Sequence, residues 1–189
     1  MLKRFSCVIT LCLLILASFS SMAYADNGFY AGAQLGYAVL TSDAASEMDD
    51  GVSLGIFGGY MISEDISLEA TAAFSRHDDE PKKCGDHSLD VISVLFGPRF
   101  IYYFKDMRVY MDAGFGIYNC DYKYRPELLP GYPRDENDFE SGIYGGIGMD
   151  FPISGRIHVG LDLKYHHVFD NELLDGDMLT PVFRIEVAL

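Results

Sequence analysis

Basic residues are scarce in this chain, and long apolar runs are missing from most of it. The 189 residues include 14 Lys and Arg against 28 Asp and Glu, which gives a formal net charge of −14. A chain with this excess of carboxylates repels polyanions, so no nucleic-acid partner is expected. After the N-terminal segment, no stretch approaches the roughly 18 consecutive apolar residues of a transmembrane helix. The sequence therefore argues against a nucleic-acid-binding protein and against a helical membrane protein.

Helical periodicity, low-complexity tracts and linkers are also missing from the sequence. The length fits one domain and is too short for a closed sheet together with a substantial second domain. We therefore expect a single architectural unit.

The N-terminal segment has the features of a secretory signal peptide. Lys3 and Arg4 form a basic start, residues 7–17 form an apolar region, and the Ala-Tyr-Ala of residues 23–25 fits the small-x-small cleavage rule. We expect residues 1–25 to be cleaved and residues 26–189 to form the mature domain. Cleavage removes two basic residues and no acidic one, so the formal net charge changes from −14 to −16.

Alternation of side-chain character with a period of two predicts eight β-strands. The predicted strands are Gly28–Val39, Gly51–Ile62, Ile66–Ser75, Asp90–Tyr103, Arg108–Asn119, Ser141–Phe151, Arg156–Val168 and Leu179–Leu189. The connections between them alternate between short and long, as in transmembrane barrels, which have short periplasmic turns and long extracellular loops. The predicted fold class is all-β, an eight-stranded antiparallel up-and-down transmembrane β-barrel.

The two faces of these strands differ in composition. One face is apolar and almost free of charge, and it is predicted to face lipid, with aromatic residues near both strand ends. The other face combines glycines with charges of both signs, which suits the interior of a narrow barrel. A soluble barrel is the alternative, and it would purify without detergent.

A charge network is predicted inside the barrel. Its members are Glu69, Arg99, Asp112, Arg156, Asp162, Lys164, Arg184 and Glu186. Four are acidic and four are basic, so they can pair and offset the cost of burying ions. A lumen filled in this way leaves no room for an open diffusion channel.

Several strands resemble the small outer-membrane barrels similar to the membrane domain of OmpA and to OmpX. The motifs that carry the resemblance are GFYAGAQLGY at residues 28–37, GPRF at 97–100, AGFG at 113–116 and GGIGMDF at 145–151. The resemblance implies a bacterial outer-membrane location, contact with outer-membrane lipid and lipopolysaccharide, and insertion by the barrel assembly machinery. Members typically end their last strand on an aromatic residue, whereas this chain ends on Leu189.

Two of the predicted outer loops are acidic and carry no basic residue. Their acidic residues are Asp43, Glu47, Asp49 and Asp50 in one loop and Asp170, Glu172, Asp175 and Asp177 in the other. Three interpretations are open, namely simple solvation, divalent cations that bridge to lipopolysaccharide phosphates, and contact with a receptor or host surface. The spacing does not match a calcium loop, so no metal site is named and no cofactor is expected. Acidic loops argue against a heparin-like ligand.

Cys84 and Cys120 are the cysteines that remain after the signal segment. Both are predicted to lie in outer loops of an exported chain, where oxidation is permitted. We expect a disulfide between them, worth about 3–4 kcal/mol in the chain-entropy model. Two unpaired thiols or a metal site are the alternatives.

An enzymatic function is not expected from this sequence. An eight-stranded lipid A deacylase has a lipid-facing His with a Ser two residues later. Here the residue two positions after His167 is Phe169. No other Ser, His and Asp have the spacing of a triad. The sequence predicts a non-enzymatic envelope protein, and the alternatives are a surface binding protein that acts through its loops, a small-solute porin or a lipid A-modifying enzyme.

Overall fold

The computed structural model describes residues 28–41, 50–78, 86–125, 134–169 and 177–189. The predicted signal peptide and its cleavage site lie outside these ranges, so that domain boundary stays a prediction. Within the described ranges no helix is long and apolar enough to cross a membrane.

Eight antiparallel strands close into a barrel. The strands are β1 (Phe29–Leu40), β2 (Gly51–Met61), β3 (Ile66–Asp78), β4 (Asp86–Phe104), β5 (Met107–Arg125), β6 (Arg134–Ser154), β7 (Ile157–Val168) and β8 (Asp177–Ala188). Each strand pairs with the next one in sequence, and β1 pairs with β8 to complete the ring. The predicted eight-stranded up-and-down barrel is confirmed.

The two ends of the barrel differ in their connections. Residues 62–65, 105–106 and 155–156 join strands at one end, which we call the turn end, and β1 begins and β8 finishes there. At residues 105–106 the hairpin turn contains Lys105 with φ of +55°, the left-handed conformation that two-residue hairpin turns require. The opposite end, where β2, β4, β6 and β8 begin, we call the loop end.

Three strands extend at least four residues further toward the loop end than the sequence pattern predicts. β4 begins at Asp86 instead of Asp90, β5 ends at Arg125 instead of Asn119, and β6 begins at Arg134 instead of Ser141. Alternation of apolar side chains stops where a strand leaves the apolar band, but the backbone ladder continues, because its hydrogen bonds do not depend on side-chain polarity. As a result β5 and β6, with 19 and 21 residues, form the longest hairpin of the barrel.

Side chains alternate between an outer and an inner face along every strand, as predicted. Large apolar side chains point outward and are exposed, among them Leu54 at 46%, Phe96 at 56% and Phe115 at 74%. Outward aromatic residues lie near both ends, and at the turn end Phe29 and Tyr60 approach to 4.7 Å between ring centroids. A contiguous exposed apolar surface of this extent is typical of contact with lipid.

The interior has two layers, of which the sequence pattern predicted only one. The layer nearer the turn end is polar and charged. The layer nearer the loop end, the apolar cluster, is formed by Ala38, Leu89, Val91, Leu95, Tyr118, Cys120, Tyr144, Val168 and Met178. The predicted interior of glycine and charge was therefore incomplete.

The prediction that Cys120 lies in a loop was wrong. Because β5 extends to Arg125, Cys120 lies within the strand, pairs with Val91 of β4 and is buried inside the barrel. Cys84 lies outside the described residues, so the expected disulfide between the two stays a prediction.

Inward-facing glycines provide space for large interior side chains. A Cβ atom at Gly148 would overlap the ring of Tyr110, and one at Gly32 would overlap the ring of Phe57. In an interior this narrow, a ring on one strand needs a position without a side chain on the neighbouring strand. The glycines of the interior face are thus required by packing.

We predict that Gly148→Ala destabilises the folded barrel by about 1–3 kcal/mol, the usual cost of overpacking a filled core. Equilibrium unfolding in urea from lipid vesicles would measure the change. The matched control is Gly58→Ala, because Gly58 faces outward and a Cβ there would lie 3.6 Å from the nearest atom, the Tyr30 carbonyl oxygen. Equal effects of the two substitutions would contradict this account.

The interior charge network as candidate functional site

The centre of the barrel is occupied by one carboxylate held between two guanidinium groups. Both oxygens of Glu69 on β3 lie 2.8 Å from the terminal nitrogens of Arg99 on β4. The same two oxygens lie 2.9 and 3.2 Å from the terminal nitrogens of Arg184 on β8. Two fork-like contacts to one carboxylate are strong, geometrically specific interactions. Because β3 and β8 are not neighbours, the contact with Arg184 spans the lumen.

Further ion pairs extend from this centre toward β5 and β7. Arg99 Nη2 lies 3.1 Å from Asp112 Oδ2, and Arg184 Nη1 lies 3.0 Å from Asp162 Oδ2. Lys164 Nζ donates to Asp162 Oδ2 at 2.9 Å and lies 3.6 Å from Asp112 Oδ2. These side chains are almost fully buried, so each ion depends on its partners rather than on water.

Aromatic rings and hydroxyl groups complete the coordination of the central ions. The Arg184 guanidinium lies 3.7 Å from the centroid of the Phe57 ring, and that of Arg99 lies 4.1 Å from the centroid of Tyr110. The Tyr30 hydroxyl donates to Glu69 at 3.2 Å. A guanidinium held over an aromatic ring is stabilised after it has left water. The Phe57 ring and the Tyr30 hydroxyl bring β2 and β1 into contact with the network.

A second group of ions lies at the turn end, and the sequence interpretation missed two of its three members. Arg108 on β5 donates to both oxygens of Asp150 on β6 at 2.7 and 2.9 Å, and to Glu186 on β8 at 2.7 Å. Arg108 and Asp150 have the same strand parity as the interior residues Asp112 and Gly148. That parity was the signal that could have found them.

The prediction that Arg156 belongs to the network was wrong. Arg156 lies in the turn at residues 155–156, before β7 begins at Ile157, and it is exposed. A turn residue no longer follows the alternation of the strand, so parity did not apply to it. The fourth basic member of the network is Arg108 instead of Arg156.

The term charge network is used from here for the nine ions that the structure places together. They are Glu69, Arg99, Arg108, Asp112, Asp150, Asp162, Lys164, Arg184 and Glu186. The predicted balance of four acids and four bases becomes five carboxylates and four cations.

The charge network and the apolar cluster are two layers of side chains in the described lumen. Where the network reaches the turn end, the pocket bordered by Tyr30, Arg108 and Glu186 has no space for a water molecule. Between the two layers His166 hydrogen-bonds the Tyr118 hydroxyl at 3.0 Å and the Thr180 hydroxyl at 2.8 Å. The arrangement can hold charges in fixed positions.

Most residues of the two predicted acidic loops lie outside the described residues. These are Asp43, Glu47, Asp49, Asp170, Glu172 and Asp175. Asp50 is described and exposed. The placement of Asp177 in a loop was wrong, because Asp177 opens β8 and accepts a hydrogen bond from Nδ1 of His167 at 2.7 Å. The cross-strand pairing of His167 with Asp177 brings these side chains together.

The two adjacent histidines of β7 face opposite sides, as predicted. His166 is buried inside the barrel, His167 is exposed on the outer face, and Phe169 occupies the place of a nucleophilic serine. In the described part of the chain, no group of three or more His, Cys, Asp and Glu is placed to hold a metal ion.

Comparison with known families identifies the architecture. The family described as outer membrane protein beta-barrel domain matches residues 9–188. The chain belongs to this family. It is therefore a bacterial outer-membrane β-barrel, and the soluble-barrel alternative is set aside. No curated protein matches the chain.

Solved structures of outer-membrane barrels share the fold at low sequence identity. Neisserial surface protein A is 14% identical, with a TM-score of 0.62 over 86% of this chain and 97% of that chain. Ail, the attachment invasion locus protein of Yersinia pestis, is 15% identical, with a TM-score of 0.55 over 84% of this chain and 95% of that chain. A structure of Ail with the heparin analogue sucrose octasulfate has a TM-score of 0.54 at the same identity and coverage. At these identities the likeness establishes the fold alone.

We predict that Glu69→Gln destabilises the outer-membrane barrel by about 3–5 kcal/mol, because it leaves two buried guanidinium groups without their shared counter-charge. Urea unfolding from lipid vesicles would measure the loss. Glu64→Gln is the control, since Glu64 is exposed in the turn at residues 62–65 and should change stability by less than about 0.5 kcal/mol. A loss below about 1 kcal/mol for Glu69→Gln would show that the network does not depend on its central carboxylate.

Proposed function

We propose that this chain is a non-enzymatic, non-conducting outer-membrane barrel that contributes to the structure and integrity of the envelope. The observation that carries the proposal is the presence of two layers of buried side chains in the lumen, the charge network and the apolar cluster. The proposal that catalysis plays no part is supported by Phe169, which puts a ring where a hydroxyl nucleophile would be needed beside His167.

The two layers close the lumen by different physical means. In the charge network each ion lies within 4 Å of an opposite charge, and removing one partner of a buried pair costs about 3–5 kcal/mol. In the apolar cluster the closure would come from close packing of Tyr118 and Tyr144 with the aliphatic side chains of the cluster. A path for solute would have to open both layers at once.

We predict no steady conductance for the purified barrel in a planar lipid bilayer. Arg184→Ala, which removes a central cation, and Tyr118→Ala, which opens the apolar cluster, should each remain closed because the other layer persists. The double variant should conduct. Heat-modifiable migration on gels would show that each variant is folded, and steady channels formed by the unaltered protein would contradict the proposal.

The proposed orientation places the loop end outside the cell and the turn end in the periplasm. Short turns at residues 105–106 and 155–156 support it, since transmembrane barrels have short periplasmic turns. The apolar outer face would contact outer-membrane lipid, including lipopolysaccharide, and the barrel assembly machinery would insert the chain. The acidic loops would then keep the outer end solvated or bind divalent cations that bridge to lipopolysaccharide.

A second candidate function is contact with a surface ligand through the β5–β6 hairpin. The specific observation is its length, together with Phe139, which is 74% exposed on the hairpin. Ail carries attachment in its name and has been crystallised with a heparin analogue. For the present chain the acidic loops argue against a sulfated ligand, because like charges repel, so the ligand of this second function would be a neutral or basic surface.

The two functions predict different outcomes in cells. If the barrel maintains the envelope, a deletion strain should take up more of an apolar fluorescent dye than the parent strain. Complementation with a variant that carries Asn or Gln at the acidic loop positions, including Asp50, should restore the barrier fully if the carboxylates only solvate the loops. It should restore the barrier in part if they bind divalent cations that bridge to lipopolysaccharide.

The same strains test the second function. Adhesion to an uncharged or basic surface should be equal in the parent and deletion strains if the role is structural. The second function would replace the first if the deletion strain showed unchanged dye uptake but lost adhesion. In that case the original chain should restore adhesion, and a variant with a shortened β5–β6 hairpin should not.

A further inference from the structure

We propose that the outer wall of β5–β8 holds a binding site for an acylated sugar lipid. The first observation is a groove of about 500 Å³ on this wall. Its outward-facing lining is apolar and comes from Val109, Ile147, Met149, Leu161, Leu163 and Phe183. The groove is continuous with the lipid-facing surface of the barrel, so an acyl chain is the occupant that the surroundings supply.

The second observation is a polar cluster on the same wall, nearer the loop end. His167 Nδ1 lies 2.7 Å from Asp177 Oδ1, and the Tyr165 hydroxyl hydrogen-bonds the same carboxylate. The His167 side chain is 47% exposed. A carboxylate only accepts hydrogen bonds, so Nδ1 must donate and Nε2 is left to face a ligand. These groups lie at the ring of outer aromatic residues, where lipid headgroups are expected.

Gly145 connects the groove to the polar cluster. It faces outward on β6 between Ala113 of β5 and Tyr165 of β7. A Cβ at Gly145 would meet a single atom, the Asp112 carbonyl oxygen, at 3.9 Å. Packing inside the protein therefore does not require glycine here, in contrast to the interior glycines. The missing side chain keeps a furrow open from the groove to His167. Along β7 the distance from Leu163, in the groove, to His167 is about 13 Å.

The polar cluster selects a sugar headgroup over a phosphate. Asp177 would repel a phosphate at this distance, whereas its carboxylate can accept hydrogen bonds from hydroxyl groups. The imidazole Nε2 offers one more hydrogen bond, and the Phe169 ring, 5.4 Å from the His167 ring, adds an apolar face beside it. Hydroxyl groups on a compact ring with an acyl tail match this arrangement, whichever side of the membrane the loop end faces.

A single-tryptophan reporter tests the site. The chain has no Trp, so Phe183→Trp places one reporter in the groove and Phe96→Trp places a matched reporter on β4, outside it. Each variant is folded into vesicles of brominated phosphatidylcholine, which quenches tryptophan. Digalactosyl diacylglycerol, phosphatidylglycerol or phosphatidylcholine, all unbrominated with the same chains, then replaces increasing fractions of the brominated lipid.

With the Phe183→Trp reporter, digalactosyl diacylglycerol should relieve half of the quenching at a mole fraction about fivefold lower than phosphatidylcholine does, the factor given by one net hydrogen bond. With the Phe96→Trp reporter the two lipids should be equivalent. When His167→Phe is added to the Phe183→Trp variant, the two lipids should relieve half of the quenching at about the same mole fraction.

Two glycine variants separate the furrow from the headgroup contacts. Gly145→Leu should also reduce the fivefold preference for digalactosyl diacylglycerol over phosphatidylcholine, although His167 and Asp177 remain. The matched outward glycine variant Gly58→Leu should leave this preference unchanged. Heat-modifiable migration confirms that each variant is folded. The proposal is overturned if both reporters show the same preference, if phosphatidylglycerol competes as well as the sugar lipid, or if His167→Phe and Gly145→Leu keep the fivefold ratio.

Discussion

The bidentate contacts of Glu69 with Arg99 and Arg184 are the interaction on which the rest of the barrel interior depends. A narrow barrel must fill its lumen with side chains, and buried ions are costly unless each lies beside an opposite charge. One carboxylate that meets two guanidinium groups fixes the position of both, and each of them then meets an aspartate at 3.0 or 3.1 Å. Five strands, β3, β4, β5, β7 and β8, are joined by these contacts alone.

Most of the fold could be predicted from the sequence, because a transmembrane barrel imposes a strict alternation. Lipid allows no charge on one face, and the lumen favours glycine and paired ions on the other, so parity assigned Glu69, Arg184 and His167 to the correct sides. Parity fails at strand ends. Arg108 and Arg156 each opened a predicted strand, and only the geometry of the turn at residues 155–156 shows that Arg156 has left the ladder while Arg108 has not.

The loop-end half of the barrel could not be predicted for a different reason. Above the lipid-facing band neither face needs to be apolar, so the residues that extend β4, β5 and β6 carry no alternation signal. Leu89 and Cys120 were consequently not recognised as parts of a core. An apolar cluster inside a membrane barrel reverses the usual pattern of such a barrel. Its members come from β1, β4, β5, β6, β7 and β8, so only the closure of the barrel brings them together.

The closing seam of the barrel shows why the charge network matters beyond filling space. The β1–β8 ladder pairs Gly36 with Val182 and then Val39 with Leu179, and it skips the two positions that contain Thr180 and Pro181. Proline has no N–H to donate, so it weakens a ladder at its own position.

The network compensates for this weakness from the inside. Arg184 lies three residues beyond the proline and reaches across β1 and β2 to Glu69 on β3, so the ion pair holds β8 against the strands on the far side of the seam. Thr180 contributes in the other direction, since its hydroxyl donates to the Lys164 carbonyl on β7 and bonds His166. At this seam the backbone ladder is interrupted, and the contact of Arg184 with Glu69 across the lumen ties its two sides together, while Thr180 fixes β8 to β7.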